Sequence, residues 1–319
     1  MRNEGPFIVE WVCWYRLLGF SDLVVVTNDC TDHSPQLLDA LQRAGWLVHM
    51  RCDVPAGGKV VAEKLRMARK TPQVRRADWV LVCDVDEFLV VHDGQGKLPD
   101  LLGPNPDFLA MAINWRVFGT GGQTKWQDGF THRQFTQAGP TAHWISSWIK
   151  MIHRNPTGFR ALGEHGPRQA DPALADHASC EALLVNSDLV PVPGWPDGPY
   201  LRQLPAHLVT HRRAQMNHYM LRSEESWALK RGTPSAVQGA DRYNDRYYRS
   251  TNRNELTDQS ALRHQAEFDA LFATAMSQPE VARLHHLCCA DYVTRLALKA
   301  GRNPQDDPRL SHHLAAAAR

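Results

Sequence analysis

The chain has no pair of cysteines in CxxC spacing. Its seven cysteines, at positions 13, 30, 52, 83, 180, 288 and 289, follow no repeated interval, so the usual zinc-finger spacing is absent. An odd, unpatterned set argues against a disulfide framework and fits reduced thiols in a cytosol, most of them small buried apolar residues. Long apolar runs are missing too: none approaches the ~20 residues that cross a bilayer. Arg2, Asn3 and Glu4 lead into an amphipathic stretch without a small-residue cleavage site, so we expect no secretory leader. Charge of either sign is not in excess. Lys and Arg number 36 and Asp and Glu 34, a formal net charge of +2, which leaves no broad electrostatic case for a nucleic-acid partner. The expected location is cytoplasmic, with peripheral contact at the inner membrane face left open by the basic, amphipathic first twenty residues. No internal repeat is visible.

What is present is an ordinary globular composition, 43% hydrophobic and 22% charged over 319 residues, enough for one large domain or two small ones. In "GPFIVEWVCWYRLLGF", Ile8, Trp11, Val12, Tyr15 and Leu18 recur at helical spacing, with Pro6 at the start and Gly19 at the stop. A buried strand is expected over 23–27, a helix over "SPQLLDALQRAG", a strand in "WLVHMRCD", a helix over "GGKVVAEKLRMARKTP", and a strand in "ADWVLVCDVDEFLVV" interrupted by its acids. This alternation predicts an α/β fold with a mainly parallel, Rossmann-like sheet flanked by helices, whose ligands sit at the carboxyl ends of the strands. "FLAMAINWRVFGTGG" reads as a strand running into a glycine loop. Residues 155–206 read as long loops with short strands such as "CEALLVNS". From about 258 two helices follow, and "AAAAR" reads as a frayed tail. We therefore expect a principal domain over 1–235 and a C-terminal helical extension over 236–319.

The acidic turn is the main chemical signal. Asp84, Asp86 and Glu87 lie between two apolar runs, and buried charge is costly unless it is paired or bound to a cation. In extended backbone, residues two apart point the same way, so Asp84 and Asp86 can face one hard divalent ion, Mg²⁺ or Mn²⁺. Glu87 then points elsewhere, toward a basic neighbour or the sheet edge. Two other readings stay open here. DxDE can be a solvated strand end, or Asp84 can be the nucleophile of a haloacid-dehalogenase-type phosphatase. The latter motif ordinarily lies on a first strand, whereas here two strand-helix units precede it.

Five strings in order, spanning residues 2 to 232, resemble the GT-A-fold glycosyltransferases of the group related to families 2 and 92: "RNEGPFIVEWVCWYRLLGF", "VVVTNDCTD", "VCDVDEFLVV", "INWRVFGTGG" and "MNHYMLRSEESWALKRG". The resemblance implies a nucleotide-sugar donor, with a UDP-sugar expected, held through Mn²⁺ or Mg²⁺. Transfer goes to an acceptor hydroxyl on a glycan or glycoconjugate, with inversion. A non-catalytic sugar-nucleotide or glycan-binding homologue is a further alternative. A sugar nucleotidyltransferase would need a glycine-rich N-terminal phosphate loop, which the chain does not show.

On this resemblance Asp84, Asp86 and His218 are the metal set, with Asp84 meeting the ion or the donor ribose. Lys150, Arg222, Lys230 and Arg231 offset the charge that gathers on the leaving diphosphate. Arg222 stands where relatives often carry Lys. Asn3, Glu4, Asn28, Asp29 and Asp32 are expected on the nucleotide side, although Asp32 can equally cap the helix that follows. Trp115, Arg116 and Gly119, Gly121 and Gly122 are expected to shape the sugar pocket. The general base is not identified by pattern: Asp128, Glu164, His165 and Asp171 are candidates, with the "GEHGP" pair favoured. The chain departs from the group at its start, where an apolar strand ordinarily precedes the "RNE" string. Its reduction to Met1 and Arg2 predicts an exposed strand edge beside the nucleotide site.

Overall fold

A computed structural model describes residues 1–55, 57–154, 156–171, 183–233 and 242–319. Helix α1 (Ile8–Leu17) forms where the apolar spacing places it, and Ile8, Trp11, Val12 and Tyr15 are all buried. β1 (Val24–Thr27) and β2 (Val48–Arg51) pair in parallel through the crossover helix α2 (Ser34–Arg43), with Val24 opposite Val48 and Thr27 opposite Arg51. Then come α3 (Val60–Arg69), α4 (Pro72–Arg75), β3 (Trp79–Leu81), β4 (Glu87–Val91), α5 (Leu98–Leu102) and β5 (Ala110–Val117). The middle of the chain supplies α6 (Thr131–Gln134), β6 (Gln137–Ala138), β7 (Ile149–Arg154), β8 (Phe159–Leu162), β9 (Pro167–Ala170), β10 (Leu184–Asn186) and β11 (Ala214–His218). The last part contains α7 (Glu224–Lys230), α8 (Asp245–Thr251), β12 (Leu256–Thr257), α9 (Gln265–Met276), α10 (Pro279–Lys299) and α11 (Pro308–Ala317).

The main sheet runs β3-β7-β5-β11-β4, with β10 also paired to β5. It is mixed rather than mainly parallel. β3 with β7, β7 with β5 and β11 with β4 are antiparallel, while β5 with β11 and β5 with β10 are parallel. The physical reason is visible in the connections. A parallel neighbour needs a long crossover, usually a helix, and between the antiparallel neighbours β5 and β7 the only α-helix among the described residues is the four-residue α6. Every residue of β4 and β5 is buried, and such continuously buried runs read as parallel strands although strands with antiparallel neighbours are covered on both faces here too.

The apolar run "WVLVCDVDEFLVV" is divided by its acids. Its first half is β3, at one edge of the sheet, and its second half is β4, at the opposite edge. The acidic turn therefore spans one end of the sheet. β1 and β2 form their own two-stranded sheet, and a slot lined by Val24, Val25 and Val26 on one side and Val80, Leu81 and Val82 on the other separates β1 from β3. Met1 lies beside the end of β1: its amino group donates to the Val26 carbonyl at 2.7 Å, and the Asn28 N–H donates to the Met1 carbonyl at 3.4 Å.

The C-terminal helices are not a separate layer. One continuous hydrophobic core contains Val12 of α1, Leu37 of α2, Phe88 of β4 and Cys288 and Val293 of α10. The expected division at 235/236 falls outside the described residues. The segment read as a frayed tail is largely helical: α11 starts at Asp307, whose carboxylate accepts from the Arg309 N–H, and it buries Leu310 and His313. No helix among the described residues is long and apolar enough to cross a membrane.

Candidate functional site

Three hydrogen bonds fix the acidic turn. The Trp11 indole N–H donates to the Asp84 carbonyl at 3.1 Å. The Asp84 N–H donates to Glu87 Oε2 at 2.8 Å, and the Glu87 N–H returns to the Asp84 carbonyl at 3.1 Å. Glu87 is thus turned inward, with its side chain 0% exposed, and Lys150 of β7 meets it there: Nζ lies 2.8 Å from Glu87 Oε2 and 3.2 Å from Asp84 Oδ2. Asp84 and Asp86 face a cleft of about 1650 Å³ at this end of the sheet, which also opens into the slot between β1 and β3. His218, the last residue of β11, brings Nε2 to 3.6 Å from Asp86 Oδ1 and Nδ1 to 3.7 Å from Glu87 Oε1. Lys230, at the end of α7, places Nζ 3.3 Å from Asp86 Oδ2 and donates to the Met220 carbonyl at 2.9 Å.

The charge states follow from these neighbours. The Lys150 ammonium beside it holds the Asp84 carboxyl below its usual range. Burial pushes the Asp86 carboxyl up, but Lys230, His218 and Arg222 together outweigh it and hold that carboxyl well below 3.8. Burial raises the Glu87 carboxyl. Burial alone would lower Lys150, but the carboxylates of Asp84 and Glu87 reverse the sign and raise it.

Whether these residues suit a divalent cation can be asked of the geometry. Asp86 Oδ1 and His218 Nε2, at 3.6 Å, are too far apart for a hydrogen bond. Two ligands with bonds of ~2.1 Å at 90–120° around one ion stand about 3.0–3.6 Å apart, so this gap fits a shared cation. Glu87 Oε1 and His218 Nδ1 are buried without hydrogen-bond partners. Asp84, in contrast, keeps its carboxylate with Lys150, and Asp84, Asp86 and His218 do not bring three donor atoms within 4.8 Å of one another. The fit is two-point, Asp86 and His218, with Asp84 turned to the cleft beside them.

Of the other residues anticipated for the site, Asn3, Glu4, Asn28, Asp29, Trp115, Glu164, His165 and Arg222 line the same cleft. Asn3 is tied to the second loop, accepting from the Thr31 N–H at 2.8 Å and donating to Thr31 Oγ1 at 3.0 Å. Glu4 holds Arg222 at 3.2 Å, the guanidinium lies 3.4 Å from the Phe7 ring centre, and its Nε and Nη2 are buried without acceptors. His165 Nδ1 faces the Ile149 carbonyl at 2.9 Å and so carries the ring proton, leaving Nε2 3.8 Å from Glu164 Oε1. Burial, helped by Lys150, pushes the His165 imidazole down to about 4.

Five anticipated residues and the glycines lie elsewhere. Asp32 accepts from the N–H and hydroxyl of Ser34 at the start of α2 and does not line the cleft. Arg116 alternates with Trp115 along β5 and points to the opposite face, against Asp258 and Thr141. Arg231 follows Lys230 and turns outward to Asp245 at 2.8 Å. Asp128 stands outside the cleft lining, 3.7 Å from His285 of α10, and Asp171, at the end of β9, is also outside it. Gly119 and Gly121 lie against Asn254.

Sequence reading named Trp115 and His165 but missed Trp148 and Trp144, which complete an aromatic floor with them. Trp115 stacks on Trp148 with ring centres 5.6 Å apart, His165 sits against both, and Trp144 is 58% exposed at the rim. The string "HWISSWIK" held that signal, two tryptophans just before the buried lysine. It also missed Tyr243 and Tyr247, which carry the C-terminal part of the chain into the cleft wall. No family model matches this chain, and no curated protein matches it.

Proposed function

We propose that the protein is a metal-dependent glycosyltransferase that moves a hexosyl group from a nucleotide-sugar donor, a UDP-sugar, to a hydroxyl of a glycan or glycoconjugate. The observation that carries this reading is the Asp84–Asp86 turn at the end of the sheet, facing a large cleft together with His218 and the two lysines. A Mn²⁺ or Mg²⁺ ion held by Asp86 and His218 would screen the donor diphosphate and the charge that develops on it as the glycosidic bond breaks. Asp84 is left to meet the ion or the donor ribose. Lys230 and Arg222, whose Nε and Nη2 lack acceptors, supply further positive charge to the leaving group. Asn3 and the loop of Asn28 and Asp29 would meet base and ribose. The tryptophans of the floor offer flat faces to the sugar and acceptor. Glu164, beside the neutral His165, takes the proton from the acceptor hydroxyl, and attack from the face opposite the diphosphate inverts the anomeric centre. In this reading the enzyme works in the cytoplasm, at most peripherally on the inner membrane face.

The test is thermal unfolding with a panel of nucleotides and nucleotide sugars, with and without Mn²⁺, followed by product detection with radiolabelled donor. A metal-dependent rise with a UDP-sugar and transfer to an acceptor support the reading, since ligands that bind only the folded chain raise the midpoint. A phosphoryl-aspartate at Asp84 trapped with beryllium fluoride would replace it with a phosphatase. Donor binding without turnover across many acceptors would reduce the protein to a binding module.

A further inference from the structure

We propose that a second cluster, outside the lining of the cleft, is a structural zinc site formed by Asp128, His286 and His313. The three residues come from the loop before α6, from α10 and from α11, and one donor atom of each lies within 4.8 Å of the others. His286 Nδ1 and His313 Nδ1 are 3.2 Å apart. Two ligands of a tetrahedral zinc ion with bonds of ~2.0–2.1 Å stand about 3.3–3.4 Å apart, so the imidazoles are already close to their spacing around an ion. Two imidazoles and one carboxylate make a nitrogen-rich set that suits zinc better than Mg²⁺ or Ca²⁺. His313 is 2% exposed, whereas the Asp128 side chain is 37% exposed, giving the ion an entry route and a place for a water ligand.

Behind this set stands a second layer. His285 Nε2 lies 3.7 Å from Asp128 Oδ1 and 3.6 Å from the Cys289 thiol. Asp128, His285 and Cys289 also have donor atoms within 4.8 Å of one another. The ion is assigned to the outer set because His285 and Cys289 are 4% and 0% exposed and leave no route for an ion or a water ligand, so they orient the Asp128 carboxylate from the inside. The site braces more than its own helices. The Trp126 N–H, two residues before Asp128, donates to Glu225 of α7 at 3.0 Å, and Arg309 of α11 bonds both the Trp126 carbonyl and Glu225 at 2.6 and 2.8 Å. Helix α7 carries Lys230 to the cleft. An ion here would therefore pin α11 and the Asp128 loop to the element that forms one wall of that cleft.

The experiment uses the full chain, stripped with chelator, dialysed and titrated with Zn²⁺ alone, reading bound zinc and the thermal midpoint. Expected are about one zinc per chain, a higher midpoint, and intense visible absorption of a tetrahedral centre when Co²⁺ replaces zinc. Asp128→Asn, at an exposed position, and His286→Gln, at a half-buried one, should keep the far-ultraviolet circular dichroism and weaken zinc binding more than about tenfold. Asp86→Ala should retain it. Absence of bound zinc and of any midpoint shift would overturn the proposal. So would unchanged binding in Asp128→Asn, or loss in His285→Gln with Cys289→Ser while His286→Gln binds normally.

Discussion

The two clusters of ionisable side chains in this molecule are built on opposite terms. In the cleft, three carboxylates within four residues are met by basic side chains from distant strands and helices: Lys150 from β7, His218 from β11 and Lys230 from α7. At the C-terminal cluster a single carboxylate, Asp128, is met by imidazoles and a thiol from α10 and α11. The first is rich in oxygen and formal charge, suited to a hard ion and a diphosphate. The second is rich in neutral nitrogen. The first announces itself as a contiguous string, the second exists only after three remote segments fold together.

The largest effect that separates the two is expected at Asp86. Asp86→Ala removes the carboxylate that His218 and Lys230 share, and transfer should fall by at least about 10³-fold, as for loss of a main electrostatic stabiliser. The midpoint shift produced by Mn²⁺ plus donor should vanish with it. Full transfer by this variant in excess chelator would break the assignment of the hard ion to the cleft.

Next is the buried pair beneath the turn. Lys150→Met leaves Glu87, which has no exposure, without its cation and should cost about 3–5 kcal/mol in urea unfolding. Adding Glu87→Gln should restore most of it. If Lys150→Met alone is near neutral, the cleft cluster is not held together by its lysines.

Acid should act on the sheet through its buried histidines. Burial pushes His153 down to about 4 from 6.5. Below about pH 6.5 the unfolded chain therefore binds a proton that the folded one refuses, and stability falls as pH drops from 6.5 toward 4. At pH 5 this one residue should account for about 2 kcal/mol. His165 and His211 are depressed by burial in the same direction. Unfolding of His153→Leu at pH 7 and pH 5 should show a flatter dependence than the parent, and identical slopes would remove His153 from the account.

The smallest contrast lies between neighbours. Arg231 and Asp245 form an exposed pair, so Arg231→Ala should cost less than about 1 kcal/mol and leave donor binding within about twofold. Lys230→Ala, one residue earlier, should weaken donor binding clearly. Equal effects at the two positions would mean that the end of α7 is not ordered as described.

Much of the fold was legible because its signals are local. The spacing in α1, the β1-α2-β2 unit and the helices α9 and α10 read directly from apolar period and turn residues. Strand direction did not, since β4 and β5 are buried on both faces and show no alternation to interpret. The resemblance places Arg116 and Arg231 in the site together with Trp115 and Lys230, but neighbours on a strand or helix point apart. Asp128 was singled out as a loop carboxylate, and only the packing of α10 beside it gives that residue a setting.

The sequence by itself determined that Asp84 and Asp86 stand where one apolar run breaks into two strands, because apolar residues seek the sheet and carboxylates do not. It also set which segments form the flanking helices. Tertiary structure alone decided which cations answer those carboxylates, that β3 and β4 part to opposite sheet edges, that the strands are mixed in direction, and that Asp128 gathers histidines from two helices. Those outcomes depend on contacts between residues remote along the chain, and no local pattern of charge or hydrophobicity encodes which remote partner a side chain will meet.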